Sequence, residues 1–275
     1  MEREPLTAAR IVLWVFCLLV ICFLIAPLLI IVVASFSGSS RMEFPPPSWS
    51  LHLYRRFFSS RHWLDPAFLS LRVGFVTMMA ATLLGTLGAI GIVRGRFPGR
   101  RALEFFLVSP MIIPIIVLAV GLYFLFSAFQ VVGRPIGLYL GHTVIATPLV
   151  VIIVSAALRT VDPSLELAAR SLGAGYFRTL WHITLPVIRP AILGGAAFAF
   201  LISFDELVIA IFVGGPAATT LPKRMWDSIR FEIDPTLTAI STLLVIVAIL
   251  TLVGAEILRR SVAKRSGAPA RSPAE

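Results

Sequence analysis

The sequence carries little charge: lysine, arginine, aspartate and glutamate make up only 14% of its 275 residues. Soluble globular proteins contain about 25% of these residues, so this chain has roughly half the usual share. Hydrophobic residues make up 58%, and the mean hydropathy is +0.93. A water-soluble fold is therefore disfavoured, and the length is better interpreted as a number of membrane spans than as a number of soluble domains.

Cysteine is also scarce. The two cysteines, Cys17 and Cys22, lie five residues apart in one apolar run, which places them on different sides of a helix. This arrangement predicts neither a disulfide framework nor a metal site.

Motifs of several common activities are missing. The sequence contains no Gly-x-x-x-x-Gly-Lys loop, so any nucleotide hydrolysis has to come from another chain. The net charge of +10 comes without a basic patch interleaved with aromatic residues, which disfavours nucleic acid as a partner. His142 has no second ligand at metal spacing, and we expect it to form a structural hydrogen bond. His52, His62 and His182 lack a partnered serine, cysteine or aspartate.

Six apolar stretches are long enough to cross a bilayer, which takes about 20 helical residues. They lie at about 11–34, 68–93, 104–128, 137–158, 187–213 and 237–258. The sequence therefore predicts an all-α integral membrane protein with six transmembrane helices. Four prolines inside these stretches predict kinked or broken helices. They are Pro27, Pro110, Pro114 and Pro148.

The distribution of lysine and arginine predicts the orientation. With the N-terminus in the cytoplasm, the inner segments hold fourteen of the 24 basic residues and the outer loops hold eight. Basic residues favour the cytoplasmic side, so both termini are expected inside. Residues 1–10 would then be a cytoplasmic N-terminus and 11–258 the transmembrane domain. Residues 259–275 are basic and rich in Pro, Ala and Ser, so we expect a disordered cytoplasmic tail.

The segment 159–186, between the fourth and fifth spans, is too regular for a simple connector. Asp162-Pro163 combines an N-cap residue with the residue favoured at the first helical position. An apolar stripe follows at i, i+3, i+4 and i+7, formed by Leu165, Ala168, Ala169 and Leu172. Glu166 and Arg170 are placed to form an i,i+4 ion pair. The pattern predicts a short surface helix.

A glycine elbow and a second short helix are predicted to follow. Gly173 and Gly175 permit a sharp left-handed turn that ends the first helix. The run from Tyr176 to Ile183 is again amphipathic and stops at Pro186. Two short helices joined by this elbow would form a rigid knob at the membrane surface.

The 159–186 segment resembles a family signature. The matching pattern is Ala168-Ala169, three residues, Gly173, nine residues, then Ile183-x-Leu185-Pro186. It is similar to the EAA signature of the membrane subunits of binding-protein-dependent ABC importers. In that family the knob is the coupling helix, which docks on a cytoplasmic ATPase. The resemblance implies a type I ABC importer permease fold.

One position departs from the family pattern. The glutamate that normally precedes the two alanines is replaced by Leu167, and Glu166 lies one residue earlier, about 100° away around the helix. We therefore do not assign Glu166 the polar contact of the family. The candidate ATPase-coupling residues are Glu166, Leu167, Ala168, Ala169, Gly173, Ile183, Leu185 and Pro186.

The resemblance extends over about residues 68–250, towards permeases of the spermidine/putrescine branch. It rests on Ser203-Phe204-Asp205-Glu206, Gly214-Gly215-Pro216, Thr220-Leu221-Pro222, Met225-Trp226, Ile229-Arg230, Glu232-Ile233-Asp234-Pro235 and Ser241-Thr242-Leu243-Leu244. It implies a polyamine or related small cation as the solute. It also implies two ATPase subunits that bind the ATP, a second and different permease chain, a periplasmic solute-binding protein, and a place among the lipids of a bacterial inner membrane. No cofactor or metal is expected on this chain.

Asp205 and Glu206 are unusual for a membrane span, independently of any family resemblance. Two adjacent carboxylates in an apolar span cost about 2.5 kcal/mol or more each, so they should face a cavity or a partner. A passing polyamine would need such acceptors, which makes the pair candidate substrate-path residues. Alternatively, they tie the span to a neighbouring subunit or to Arg224 or Arg230.

Two loops are predicted on the outer side. The segment 37–65 is expected to lie partly on the membrane interface through Trp49 and Trp63. The segment 214–235 contains Trp226 and mixed charges, which predicts a short interfacial helix or gate where a binding protein would dock. Plain surface packing is the alternative for this second loop.

The principal hypothesis is thus a permease subunit of an ABC importer, without ATPase activity of its own. A self-contained secondary transporter or channel is the alternative, but it would need a coupling-ion site and usually repeated halves, and neither is evident. A membrane-embedded enzyme ranks third because no catalytic cluster is present in the sequence.

Overall fold

The computed structural model describes residues 8–39, 41–231 and 233–265, and over these ranges the chain is dominated by helices. The helices are α1 (Ala8–Ala34), α2 (His52–Ser59), α3 (Arg61–Arg94), α4 (Arg100–Val108), α5 (Ile115–Ala128), α6 (Pro135–Thr160), α7 (Pro163–Ser171), α8 (Tyr176–Thr179), α9 (Leu185–Phe204), α10 (Val208–Val213), α11 (Leu221–Phe231) and α12 (Thr236–Arg265). They form two compact units, Met1–Leu64 with Ser228–Val247 and Asp65–Asp227 with Ala248–Glu275.

Five helical segments are long and apolar enough to cross a membrane. They are Arg10–Ala34, Arg61–Arg94, Pro135–Thr160, Tyr176–Phe204 and Thr236–Ser261. A sixth span is obtained when Arg100–Met111 and Ile115–Ala128 are counted together. The predicted all-helical membrane fold is confirmed, and the bent pair coincides with the predicted third stretch.

The third span is broken, as its prolines predict. A short 3₁₀ turn, Ser109–Met111, ends α4, and α5 begins directly after Pro114, so the two parts meet at 104°. Proline lacks the amide hydrogen and clashes with the preceding turn, which accounts for the break. Pro148, in contrast, lies within α6 without ending it.

The fifth span differs from the predicted stretch 187–213 at both ends. Helical structure already begins at Tyr176, and it stops at Phe204, after which α10 follows as a separate short helix. The hydropathy pattern missed the break because apolar residues continue on both sides of it. We call residues 205–207 the helix break.

The core of the larger unit is formed by apolar residues of α3, α6 and α9. It includes Ala81, Ala89, Val150, Val154, Leu158, Ile188 and Ala199. At Gly85, a Cβ atom would come within 2.7 Å of Val150, so glycine is what allows α3 to approach α6 this closely. This packing makes α3 and α6 close neighbours in one body.

In the smaller unit, the predicted interfacial loop contains a helix that the sequence analysis missed. α2 buries Leu53 and Phe57, and the Tyr54 hydroxyl lies 2.7 Å from Ser35 Oγ. An antiparallel bridge joins Ser37 to Trp49. A helix of eight residues with only two buried side chains is too short for its apolar periodicity to be recognised in the sequence of a polar loop.

The second outer segment does contain a short helix, α11, in agreement with one of its two interpretations. The amide of Leu221, at its start, donates to Ser70 Oγ at 2.8 Å. Its role as a gate or docking surface stays a prediction. At the other end of the chain, α12 runs past residue 258 to Arg265, so the first part of the predicted tail is helical. Residues 1–7 and 266–275 lie outside the described residues.

Candidate functional site

The 159–186 loop begins with the predicted N-cap. Asp162 Oδ1 accepts a hydrogen bond from the Ser164 amide at 2.8 Å, and Pro163 occupies the first helical position. Hydrogen bonds from the amide and the side chain of Ser164 lower the pKa of the Asp162 carboxyl because they favour its charged form. The start of α7 is thereby fixed by residues adjacent in sequence.

The end of α7 is closed by the predicted glycine. Gly173 has a φ of +86°, its amide donates to Arg170 O at 3.0 Å, and the Ala174 amide donates to Ala169 O at 3.1 Å. This is the double closure of a Schellman motif. No atom lies within 4 Å of a Cβ built on Gly173, so the backbone angle alone requires glycine here. Gly175, which was also predicted to be left-handed, has a φ of −68° and precedes α8 in extended geometry.

The second predicted short helix does not stop at Pro186. α8 continues through a wide π-helical turn, Leu180–Thr184, directly into α9. In this turn the Leu185 amide donates to Leu180 O, five residues back, and the shifted register accommodates the proline that follows. Ile183, Leu185 and Pro186 are half-buried in this continuous helix.

The apolar stripe of α7 is not covered by the rest of the chain. α7 has no buried residue, and Leu172 is 90% exposed. Leu167, at the position of the missing glutamate, is 61% exposed, and Ala168 is exposed as well. Leu165 is also exposed, whereas Ala169 is half-buried. The knob therefore presents an apolar surface that is available to another chain.

Glu166 has partners that the sequence did not reveal. Its Oε1 accepts from Arg94 Nε at 2.9 Å and from Thr184 Oγ1 at 2.9 Å. Arg94 Nη2 also donates to Val161 O at 3.3 Å. The predicted helical pair of Glu166 with Arg170 is wrong, because the carboxylate turns inward toward Arg94. In the sequence, Arg94 is only one of the fourteen basic residues of the predicted inner segments, and no pattern marks Thr184.

The helix break is stabilised from a distant part of the chain. His142 Nδ1 lies 3.1 Å from Ser203 O and 2.9 Å from Ser203 Oγ. Ser203 belongs to the last turn of α9, whose carbonyls lack helical partners because the helix ends there. The prediction of a structural hydrogen bond for His142 is confirmed.

The two carboxylates at the break have different surroundings. Glu206 is 9% exposed, and its Oε1 accepts from the Ile209 amide at 2.8 Å, which satisfies a free donor at the start of α10. Asp205 is exposed. Within the described ranges, neither carboxylate forms an ion pair with Arg224, so that part of the alternative finds no support.

In residues 8–39, 41–231 and 233–265, no group of three or more His, Cys, Asp or Glu side chains is arranged to hold a metal ion.

Comparison with known proteins gives a consistent result. The family model described as "Binding-protein-dependent transport system inner membrane component" matches residues 81–266. The putrescine transport system permease protein PotI of Escherichia coli K12 is 37% identical over 229 residues, which cover 81% of each chain. The spermidine/putrescine transport system permease protein PotC of Haemophilus influenzae is 31% identical over 248 residues, covering 89% of this chain and 95% of the relative.

Solved structures support the fold. A bacterial ABC transporter for import of the acidic polysaccharide alginate matches with a TM-score of 0.72 at 14% identity, over 94% of this chain and 98% of that chain. The inward-facing MetNI methionine ABC transporter matches with a TM-score of 0.62 at 19% identity, over 72% and 95%. At such identities the likeness concerns the fold alone. The family match and the two permease relatives show that this chain belongs to the binding-protein-dependent transport system inner membrane components.

Proposed function

We propose that this chain is a permease subunit of an ATP-driven importer for a polyamine, and that it forms the translocation path together with a second, different permease chain. The observation that carries the proposal is the 37% identity to a putrescine permease over 81% of both chains. Two features of the structure support it: an uncovered apolar knob and an exposed carboxylate at a helix break.

The knob is suited to receive a partner. Its apolar residues are exposed, while its two ends are fixed by Asp162 and Gly173, so its shape is formed before the partner arrives. We propose that two ATPase subunits, which bind the ATP, dock on this surface and its counterpart on the second permease. The family assignment and the absence of a phosphate-binding loop both support placing hydrolysis on a separate chain.

The helix break is suited to attract a cation. A broken helix brings polar backbone and a carboxylate into an otherwise apolar span, which is tolerated where the span lines a polar cavity. Asp205 is the exposed carboxylate, so we propose that it lies on the path of the solute. Glu206 is engaged with the start of α10 and shapes the break, without contacting the solute.

We also propose the orientation and the delivery of the solute. The excess of lysine and arginine in the N-terminus, the second and fourth connections and the tail supports a cytoplasmic location for both termini and for the knob. A periplasmic solute-binding protein would then deliver the polyamine to the opposite side, where α11 lies. ATP binding biases the equilibrium between inward-open and outward-open states by favouring one of them.

Purification of the tagged full-length chain from its native membrane, in mild detergent, tests this proposal. The co-purifying chains are identified by mass spectrometry, and an unrelated tagged polytopic protein serves as the control. We expect a second permease and an ATPase in stoichiometric amounts. Isolation of the chain alone, together with uptake driven by an ion gradient after reconstitution, would support a secondary transporter instead.

A further inference from the structure

α7 has little apolar attachment to the rest of the chain. None of its residues is buried, and of its apolar stripe only Ala169 is half-buried. A surface element without a packed face is held by polar contacts and by its chain ends. The polar contacts of Glu166 therefore contribute more to holding α7 in place than the same contacts would in a helix with a packed apolar face.

Three segments meet at Glu166. Arg94 is the last residue of α3, Thr184 lies in the wide turn before α9, and both donate to the same carboxylate oxygen at 2.9 Å. The two charged side chains retain only 17% and 21% exposure, so solvent screening is reduced. We call Arg94, Glu166 and Thr184 the latch.

Arg94 also holds the chain on the other side of α7. Its Nη2 donates to Val161 O at 3.3 Å, and Val161 lies directly before the N-cap Asp162. One guanidinium thus binds both the first turns of α7 and the link that leads into it. A planar guanidinium with several donors in fixed geometry is well suited to such a double contact.

We propose that the latch makes α7 and α3 move as one unit, so that force applied to the knob is transmitted to the packed spans through Arg94. This inference rests on the proposed function, in which the knob receives that force. From Arg94 the path continues along α3 to Gly85, where α3 packs closely against Val150 of α6. Glu166 is thereby a positioning residue whose carboxylate acts within the chain, on the inner side of the knob.

Transport per ATP in the reconstituted complex tests this role. Glu166→Ala removes both hydrogen bonds, and because alanine favours a helix we expect the complex to assemble normally. The amount of solute transported per ATP hydrolysed should fall about fivefold or more. Glu166→Gln keeps an acceptor oxygen and should recover most of the coupling. Glu104→Ala is the matched control, because Glu104 forms an exposed 3.2 Å pair with Arg159 and should leave coupling unchanged.

Charge reversal sharpens the test. Glu166→Arg places two guanidiniums together and should be the most uncoupled variant, and adding Arg94→Glu should restore part of the coupling. Normal solute per ATP in Glu166→Ala would overturn the proposal, as would loss of assembly without a change in that ratio.

A second measurement does not depend on transport. Spin labels at Leu87 of α3 and Ser171 of α7, both exposed, report the distance between the two helices in the purified full-length chain. The proposal predicts a narrow distance distribution that Glu166→Ala broadens and Glu104→Ala leaves unchanged. An unchanged distance distribution in Glu166→Ala would refute the latch, whatever the transport assay shows. Absence of polyamine uptake by the wild-type complex is a separate result and would refute the proposed function.

Discussion

The 159–186 loop and the helix break both interrupt helical structure, but different parts of the chain satisfy their free backbone groups. In the loop both ends of α7 are closed locally, by Asp162 at the start and by Gly173 at the end, and Arg94 adds one distant contact to Val161 O. At the break, Glu206 closes the start of α10 locally, but His142 reaches Ser203 at the end of α9 from 61 residues away. Local closure keeps an exposed knob in shape, whereas the break depends on tertiary packing. This difference supports the proposals that the knob is a preformed docking element and that the break belongs to the interior path.

The carboxylates of the two regions also differ in how far their charge is compensated by other groups of the chain. Glu166 accepts two hydrogen bonds, and the one from Arg94 is also an ion pair, so its charge is compensated within the chain. At the break, Glu206 is engaged with a backbone amide, while Asp205 is exposed and has no side-chain partner within the described residues. This contrast supports the proposal that Asp205, rather than Glu206, meets the cationic solute.

The largest effect is expected from Asp205→Asn. It removes the free charge but keeps the shape, and hydrogen bonds to charged groups are worth about 1.5–3 kcal/mol, so polyamine uptake should fall about tenfold or more. Assembly and basal ATPase activity should persist. Asp227→Asn is the control, because Asp227 pairs with Lys223 four residues away and should change uptake little. Unchanged uptake in Asp205→Asn would remove Asp205 from the path.

Gly173→Val tests the local closure of the knob. A left-handed backbone costs a residue with a Cβ about 1–2 kcal/mol, which corresponds to about a 5–30-fold loss of the correctly formed elbow. ATP hydrolysis should then become detached from transport while membrane insertion persists. Gly175→Ala is the matched control, since Gly175 has a φ of −68° and open space around it. Equal transport by both variants would show that the elbow needs no special backbone angle.

Glu206 should behave as a structural residue. Glu206→Leu leaves the Ile209 amide without its acceptor in a buried position, which costs about 1–3 kcal/mol and should lower the thermal unfolding temperature of the complex. Glu206→Gln retains a carbonyl acceptor and should preserve stability and most uptake. Strong loss of uptake in Glu206→Gln at unchanged stability would instead place Glu206 on the path beside Asp205.

Cysteine labelling tests on which side of the membrane each loop lies, and its substitutions are expected to change transport least. In a background without Cys17 and Cys22, a cysteine at the exposed Ala217 should react with an impermeant reagent added to intact cells. A cysteine at the exposed Ser164, on the knob, should react only after the membrane is permeabilised. The reverse pattern would invert the proposed orientation.

The sequence predicted those features whose causes are local. Hydropathy located the spans, and the Asp162-Pro163 and Gly173 signals located both ends of α7 because capping uses neighbouring backbone groups. The break in the third span followed from its prolines in the same way.

Features that depend on distant contacts could not be predicted in this way. The partner of Glu166 is Arg94, 72 residues earlier, and a helical i,i+4 pattern suggested Arg170 instead. The helix break has apolar residues on both sides, and its stabilisation by His142 depends on how α6 packs against α9. Pro186 misled for a related reason, since the wide turn before it absorbs the proline and lets the helix continue.

The most direct test of the central claim is uptake of labelled putrescine into proteoliposomes that contain the purified complex, with ATP enclosed on the ATPase side and the solute-binding protein outside. The account predicts uptake that requires ATP, the binding protein and this chain, and that falls sharply with Asp205→Asn. Uptake that proceeds without ATP, or no uptake of any polyamine by an assembled complex that hydrolyses ATP, would contradict it.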